Sequence, residues 1–335
     1  MTVSIDSIRA AATRLKGVAI ATPLLSNKFL NEQLDAQVFI KPECLQHIGA
    51  FKFRGAYNRL SQLSNDERML GVVAFSSGNH AQGIALAAKM LGIEATIVMP
   101  SDAPQLKLEG TRSLGATVRQ FDRLTESREE IAYKIAQESG AIVVPSFDDF
   151  DVMAGQGTVG LEIVDQLAEQ SLAADIVLTP CGGGGLMAGT STAVKALLPD
   201  AKIYGVEQEN FDDHYLSKQA GKRVEVNGHA LTMCDALMTK TPGEKTWEIN
   251  SKNVDEFLVV TEDDIARAVS YAFRYLKLVV EPGGAVALAA LLSKKLDISG
   301  KIVAIVLSGG NIDNTTLQRC LNEHPSPANE ILGED

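Results

Sequence analysis

Short β-branched runs, each closed by a turn and followed by a longer Ala/Leu-rich stretch, recur along most of this 335-residue chain. VVAF before Ser76, ATIVMP, ATVRQF and AIVVP are strand-like segments between Val72 and Pro145. HAQGIALAAKML and PQLKLEGTRSL, lying between them, carry apolar residues at helical spacing. A second series follows: DIVLTP before Cys181, KIYGVE ending at Glu207, EFLVV before Thr261, and KIVAIVLS ending at Ser308. Such alternation predicts an α/β chain with open, largely parallel sheets and helices on both faces. Two separate series predict two such domains. The segment up to Gly17 reads as an amphipathic helix opened by Ser4 or Asp6, not as a signal peptide.

In doubly wound sheets, ligands bind beyond the carboxyl ends of the strands. Most of the chemically suggestive segments fall there. Gly182, Gly183, Gly184 and Gly185 separate a strand from a helix. Backbone N–H groups in that turn, with the helix dipole behind them, would suit a phosphate; the plain alternative is a flexible turn. The spacing is neither that of an NTP-binding loop nor that of a dinucleotide fingerprint. Lys52 stands between Phe51 and Phe53 at the start of a helical stretch. By itself it reads as a surface lysine, but aromatic neighbours would desolvate its amine and lower its pKa toward a nucleophilic range. Ser76-Ser77-Gly78-Asn79-His80 opens a helix and offers hydroxyls and N–H groups to a carboxylate, beyond what capping alone needs. Ser308 ends the last strong strand, where it is either a turn residue or a partner for a ring nitrogen. Glu207 with Asp212 and Asp213 is either a solvated acidic loop or a source of oxygen ligands for a hard cation.

Composition narrows the class. A formal net charge of −11 without a basic block argues against nucleic acid as a partner. At 45% hydrophobic and 22% charged, with no uninterrupted apolar span, the chain reads as an ordinary globular protein outside the membrane. Four scattered cysteines without a CxxC pair predict free thiols in a reducing cytoplasm.

The segments GAFKFRGA, SSGNHAQG, AGQGT (Ala154–Thr158), CGGGGLMAG, VEPGGA (Val280–Ala285) and VLSGGN occur in one order from about Ile20 to Asp313. In that order they resemble the fold-type II (tryptophan synthase β-like) enzymes dependent on pyridoxal 5′-phosphate (PLP). Specifically, they resemble the branch of threonine and serine dehydratases and serine racemases. The resemblance implies two open doubly wound α/β domains: a discontinuous large one, 1–66 and 149–335, and a small one, 67–148. It implies that Lys52 forms the Schiff base with the cofactor and that Phe51 and Asn79 flank the ring. Gly182, Gly183, Gly184, Gly185 and Leu186 would hold the phosphate, and Ser308 would face the ring nitrogen. Ser76, Ser77, Asn79 and His80 would take the substrate carboxylate, with Arg128 assisting. A hydroxyl facing the ring nitrogen leaves it largely unprotonated, which favours expulsion of a β-hydroxyl.

The implied activity is that of an L-threonine/L-serine ammonia-lyase, giving a 2-oxo acid and ammonia from a small amino acid. Serine racemase and 3-hydroxyaspartate dehydratase are the alternatives on the same scaffold. Ser77 matches the racemase residue opposite the lysine. A non-catalytic PLP-binding regulator is the alternative of another class; intact Lys52 and SSGNH argue against it. Glu207, the Phe211 carbonyl and Asp213 match a Mg²⁺ or Ca²⁺ site of the racemase-like branch. The resemblance also implies a homodimer or homotetramer. Ala50, Ala236 and Gly283 depart from the residues usual at their positions, and the last two bear on substrate choice. The short polar sequence after Asp313 fits the dehydratase type without a regulatory domain.

Overall fold

The computed structural model describes residues 2–332 apart from Ser77, Pro104, Arg123 and His229. Among the described residues ten strands form two sheets: β1 Leu25–Ser26, β2 Gln37–Pro42, β3 Val72–Phe75, β4 Ala95–Pro100, β5 Thr117–Phe121, β6 Ile142–Val143, β7 Ile176–Pro180, β8 Lys202–Gln208, β9 Glu256–Val260 and β10 Ile302–Leu307. The larger sheet runs β1-β2-β10-β7-β8-β9 and the smaller β5-β4-β3-β6. All neighbouring pairs are parallel except β1 with β2.

Side-chain alternation explains why both sheet faces are covered. On β10, Val303, Ile305 and Leu307 enter one apolar cluster, while Ala304 and Val306 enter another on the opposite face. On β3 of the smaller sheet, Val72 and Ala74 face one cluster and Val73 the other. A parallel sheet buried on both sides requires this near-continuous apolar pattern. The helix Pro282–Leu292, buried throughout, packs across β7 to β10. On the other face, Phe150–Ala168 and Gly185–Leu197 lie together.

The first helix spans Ile5–Leu15, capped by Ser4 in a reciprocal capping box with Ser7. β2 was not legible as a strand, because its end carries Lys41 and Pro42. The structure buries Lys41 and pairs it with Glu162 at 2.6 Å. AIVVP yields only the two-residue edge strand β6. All four cysteines are free thiols. Among the described residues, no helix is long and apolar enough to cross a membrane.

Arg54, 1% exposed, clamps this architecture at the helix Lys52–Ser61. Its guanidinium grips Glu43 through Nε at 2.7 Å and Nη2 at 2.8 Å, and Glu162 through Nη1 at 2.6 Å and Nη2 at 2.9 Å. Thr22 donates to Glu43, and Lys41 supplies the second positive charge, so two cations face two carboxylates. Burial alone would raise the Glu43 pKa; Arg54, with Thr22 and Lys41, more than offsets this and holds it below the usual carboxylate value. This contribution is complete above pH of about 4.3 and is lost as pH falls through the lower folded-state value. Arg54→Met should therefore destabilise the protein by about 3–5 kcal/mol, because it leaves a buried carboxylate uncompensated. Denaturant unfolding measures the loss, and adding Glu43→Gln should restore part of it.

Candidate active site

Four segments distant in sequence meet beyond the ends of β3, β7 and β10. The Phe51 N–H donates to the Ser308 carbonyl at 3.1 Å, and the Gly310 N–H donates to the Gly49 carbonyl at 2.9 Å. The loop before Lys52 is thereby fixed to the loop after β10. Asn79 donates through Nδ2 to Glu281 Oε1 at 2.6 Å and accepts from Asn311 Nδ2 at 2.7 Å. Lys52 Nζ donates to the Ser146 carbonyl at 2.8 Å, and the next residue, Phe147, lies against the glycine loop. A Cβ on Gly183 would stand 2.3 Å from the Phe147 ring, so only glycine fits there.

The helices beginning at Lys52, Asn79, Gly185 and Pro282 all start without a side-chain cap. Their first N–H groups have no acceptor within the helix. At Asn79 and Gly185 the cap residues are Gly78 and Gly184, so those N–H groups are open to an anion. Gly184 adopts φ +92°, which turns the chain from β7 into the helix. Thr246 Oγ1 and Asn250 Nδ2 hold the Gly183 and Gly184 carbonyls at 2.8 and 3.1 Å.

Burial lowers the Lys52 pKa to about 8, with Glu281 pulling it partly back up. Its amine lies 5.1 Å from the centre of the Phe51 ring. Glu281 is itself raised to about 7, chiefly by burial and then by Asp235, while its bond from Asn79 and the charge of Lys107 act the other way. Lys107 pairs with Asp235 at 2.5 Å. Ser308 is 5% exposed, and its hydroxyl makes no hydrogen bond among the described residues.

Residues 16–309 match the pyridoxal-phosphate dependent enzyme family. This chain belongs to it. L-threonine ammonia-lyase of Thermotoga maritima is 43% identical over 321 residues, covering 96% of this chain and 79% of that protein. L-threo-3-hydroxyaspartate ammonia-lyase of a Pseudomonas species is 45% identical over 303 residues, covering 90% and 93%. The solved structure of maize serine racemase superposes with a TM-score of 0.89 at 36% identity, covering 97% of this chain and 98% of that one.

The residues present suit the cofactor of a pyridoxal-phosphate dependent enzyme. They provide an uncapped phosphate seat, a desolvated amine and a nearly buried hydroxyl without a partner among the described residues. Among the other residues expected at the site, His80 is 3% exposed and its Nε2 meets the Val144 carbonyl at 3.0 Å. Its ring is thus committed to the backbone, and what it offers a ligand is its main-chain N–H. Arg128 is half exposed, pairs with Glu129 at 2.8 Å and lies 5.8 Å from the Phe75 ring centre. Among the described residues, no hydrogen bond joins its guanidinium to Ser76. Ser77 lies outside the described residues.

Glu281 was not singled out from the sequence, although it is the only charge between Lys277 and Lys294. Ala236 and Gly283 also explain each other: a Cβ on Gly283 would stand 3.2 Å from that of Ala236. The methyl group at 236 occupies space that a side chain at 283 would need.

Glu207 and Asp213 lie behind the glycine loop, both 0% exposed. Glu207 accepts the N–H groups of His214 and Tyr215 at 2.9 and 2.7 Å. Neither Asp213 oxygen has a hydrogen-bond partner among the described residues. Burial pushes both carboxyls up to about 8. Phe211, 1% exposed, lies between them, in the turn from β8 to the helix Asp213–Ala220. Cys181, Glu207 and His214 also place donor atoms within 4.8 Å of one another, a grouping the sequence spacing does not reveal.

Removing the Glu281 charge should lower the Lys52 pKa further, since an adjacent anion favours the ammonium. With Glu281→Gln, capture of pyridoxal phosphate by cofactor-free protein should therefore reach its half-maximal rate below pH 8 rather than near it. A midpoint that stays put or rises would separate the two groups.

Proposed function

We propose that this enzyme is an L-threonine/L-serine ammonia-lyase, releasing a 2-oxo acid and ammonia by loss of the β-hydroxyl and the amine. The coarser activity, pyridoxal-phosphate dependent loss of ammonia from hydroxy amino acids, is supported by relatives 43–45% identical over most of the chain. The observation that carries the reading is the Lys52 amine, lowered toward neutrality beside two uncapped helix N-termini. One terminus would take the phosphate and the other the substrate carboxylate.

When bound, the cofactor supplies an electron sink for the bond broken at Cα. Lys52 would hold it covalently and, once displaced, accept the Cα proton as a neutral amine. Gly182 to Leu186 would fix the phosphate, and Phe51 and Asn79 would orient the ring. Ser308 would give the ring nitrogen a hydroxyl partner. Ser76, the Asn79 and His80 N–H groups and Ser77 would orient the carboxylate, with Arg128 assisting. Ser77 would also serve as the proton carrier opposite Lys52. That makes racemisation the second reading, favoured by the likeness to maize serine racemase. 3-Hydroxyaspartate is the alternative substrate, favoured by the Pseudomonas relative. We assign 67–148 to a small domain around the β3–β6 sheet, and 1–66 with 149–335 to the large one.

Borohydride reduction of the holoenzyme should fix cofactor on the peptide containing Lys52, and Lys52→Ala should lose 2-oxo acid release altogether. An amino-acid panel read for 2-oxo acid and for chiral products decides the substrate. Turnover of 3-hydroxyaspartate alone, or D-serine as the main product, would displace the proposed reaction.

We infer in addition that Glu207, the Phe211 carbonyl and Asp213 hold Mg²⁺ or Ca²⁺. Hard oxygen donors suit such ions, and a buried carboxylate without a partner needs a counter-charge. Saturation at 100 times the dissociation constant should stabilise the fold by about 2.7 kcal/mol. Thermal unfolding with EDTA, Mg²⁺ and Ca²⁺ measures this, and Asp213→Ala should be insensitive to all three.

A further inference from the structure

Two fully buried side chains, His214 and Asn250, join the paired carboxylates to the glycine loop. Asn250 Nδ2 donates to the Gly184 carbonyl at 3.1 Å and faces His214 Nε2 at 3.3 Å. One amide nitrogen with two N–H groups addresses both atoms. His214 Nε2 is then the acceptor, and the ring proton resides on Nδ1. On its other side, Nδ1 faces Glu207 Oε1 at 3.5 Å and Asp213 Oδ2 at 3.6 Å, too far for good hydrogen bonds.

Nδ1, both Asp213 oxygens and Asn250 Oδ1 have no hydrogen-bond partner among the described residues, although all are shut away from water. Unmet buried polar atoms are costly, and a chain of them responds to whatever reorders its end. There is little slack at the loop. A Cβ on Gly184 would stand 2.6 Å from Asn250 Nδ2 and 2.7 Å from His214 Nε2. Both side chains thus pack against Gly184, whose peptide carbonyl Asn250 holds where the phosphate-facing helix opens.

We propose that His214 and Asn250 are positioning residues that couple the buried carboxylate site to the phosphate loop. A divalent cation at Glu207 and Asp213 fixes the His214 ring, His214 fixes the Asn250 amide, and Asn250 orients the Gly184 peptide. The proposal rests on the cation reading given above. Because such coupling is reciprocal, the cation tightens cofactor binding and the cofactor tightens cation binding, without contact between them.

The test dialyses full-length holoenzyme against graded free pyridoxal phosphate, with EDTA or with saturating Mg²⁺. Bound cofactor is read by absorbance, and Mg²⁺ binding is measured separately by calorimetry. In the native protein, Mg²⁺ should lower the cofactor dissociation constant about fivefold or more. Asn250→Ala and His214→Phe should still bind Mg²⁺, with that ratio reduced to about one. A merely structural role would weaken cofactor binding equally with and without Mg²⁺, keep the native ratio and overturn the proposal. Mg²⁺ that binds the native protein without changing cofactor affinity overturns the coupling alone. No Mg²⁺ binding by calorimetry overturns the cation reading and the coupling together. Should Asn250→Ala fail to fold, His214→Phe and Asn250→Ser carry the comparison.

Discussion

The buried grip of Arg54 on Glu43 and Glu162 fixes the helix on which the site depends. Lys52 and Arg54 are two residues apart on that helix, hence about 200° apart around its axis. One faces the cofactor site while the other faces away from it into the carboxylates. Glu43 lies just after β2, and Glu162 lies on the long helix beside the glycine-loop helix. A planar fork with five donors can satisfy both carboxylates at once, which a lysine cannot. Charge balance with Lys41 keeps the cluster neutral as a whole. The reactive amine is thereby anchored both to β2 and to the long helix Phe150–Ala168.

Much of the fold was legible because its signals are local. Alternating β-branched and Ala/Leu-rich runs specify each strand and helix, and the glycines at 182–185 lie where a strand must turn into a helix. The same holds for Ser76 to His80 and for Ser308. Lys52 was legible only when its flanking phenylalanines and the ordered set of motifs were considered together. β2 escaped notice because Lys41 looks solvated until Glu162, 121 positions later, is brought against it.

The site partners that were missed share that dependence on distance along the chain. Glu281 becomes a site residue because Asn79 and Asn311 converge on it and its neighbours. His214 and Asn250 acquire meaning only when the helix Glu244–Asn253 packs onto the glycine-loop helix. His80 shows the opposite case. Its position in a motif suggested a ligand; the fold uses its ring to bind a backbone carbonyl and leaves the main-chain N–H for that role. Arg128, named from the resemblance, pairs with its neighbour Glu129.

β10 lies in the middle of the larger sheet, with β2 on one side and β7 on the other. A chain emerging from the ribosome therefore presents β2 and β7 long before the strand that separates them exists. Until residues up to about Leu307 are available, those two edges stay unpaired and the Phe51 N–H lacks its Ser308 acceptor. The nascent protein can complete the smaller sheet early, yet it cannot complete the cofactor site until this central strand inserts. Completion of the larger sheet is consequently a late event. In the interim those edges carry unpaired N–H and C=O groups.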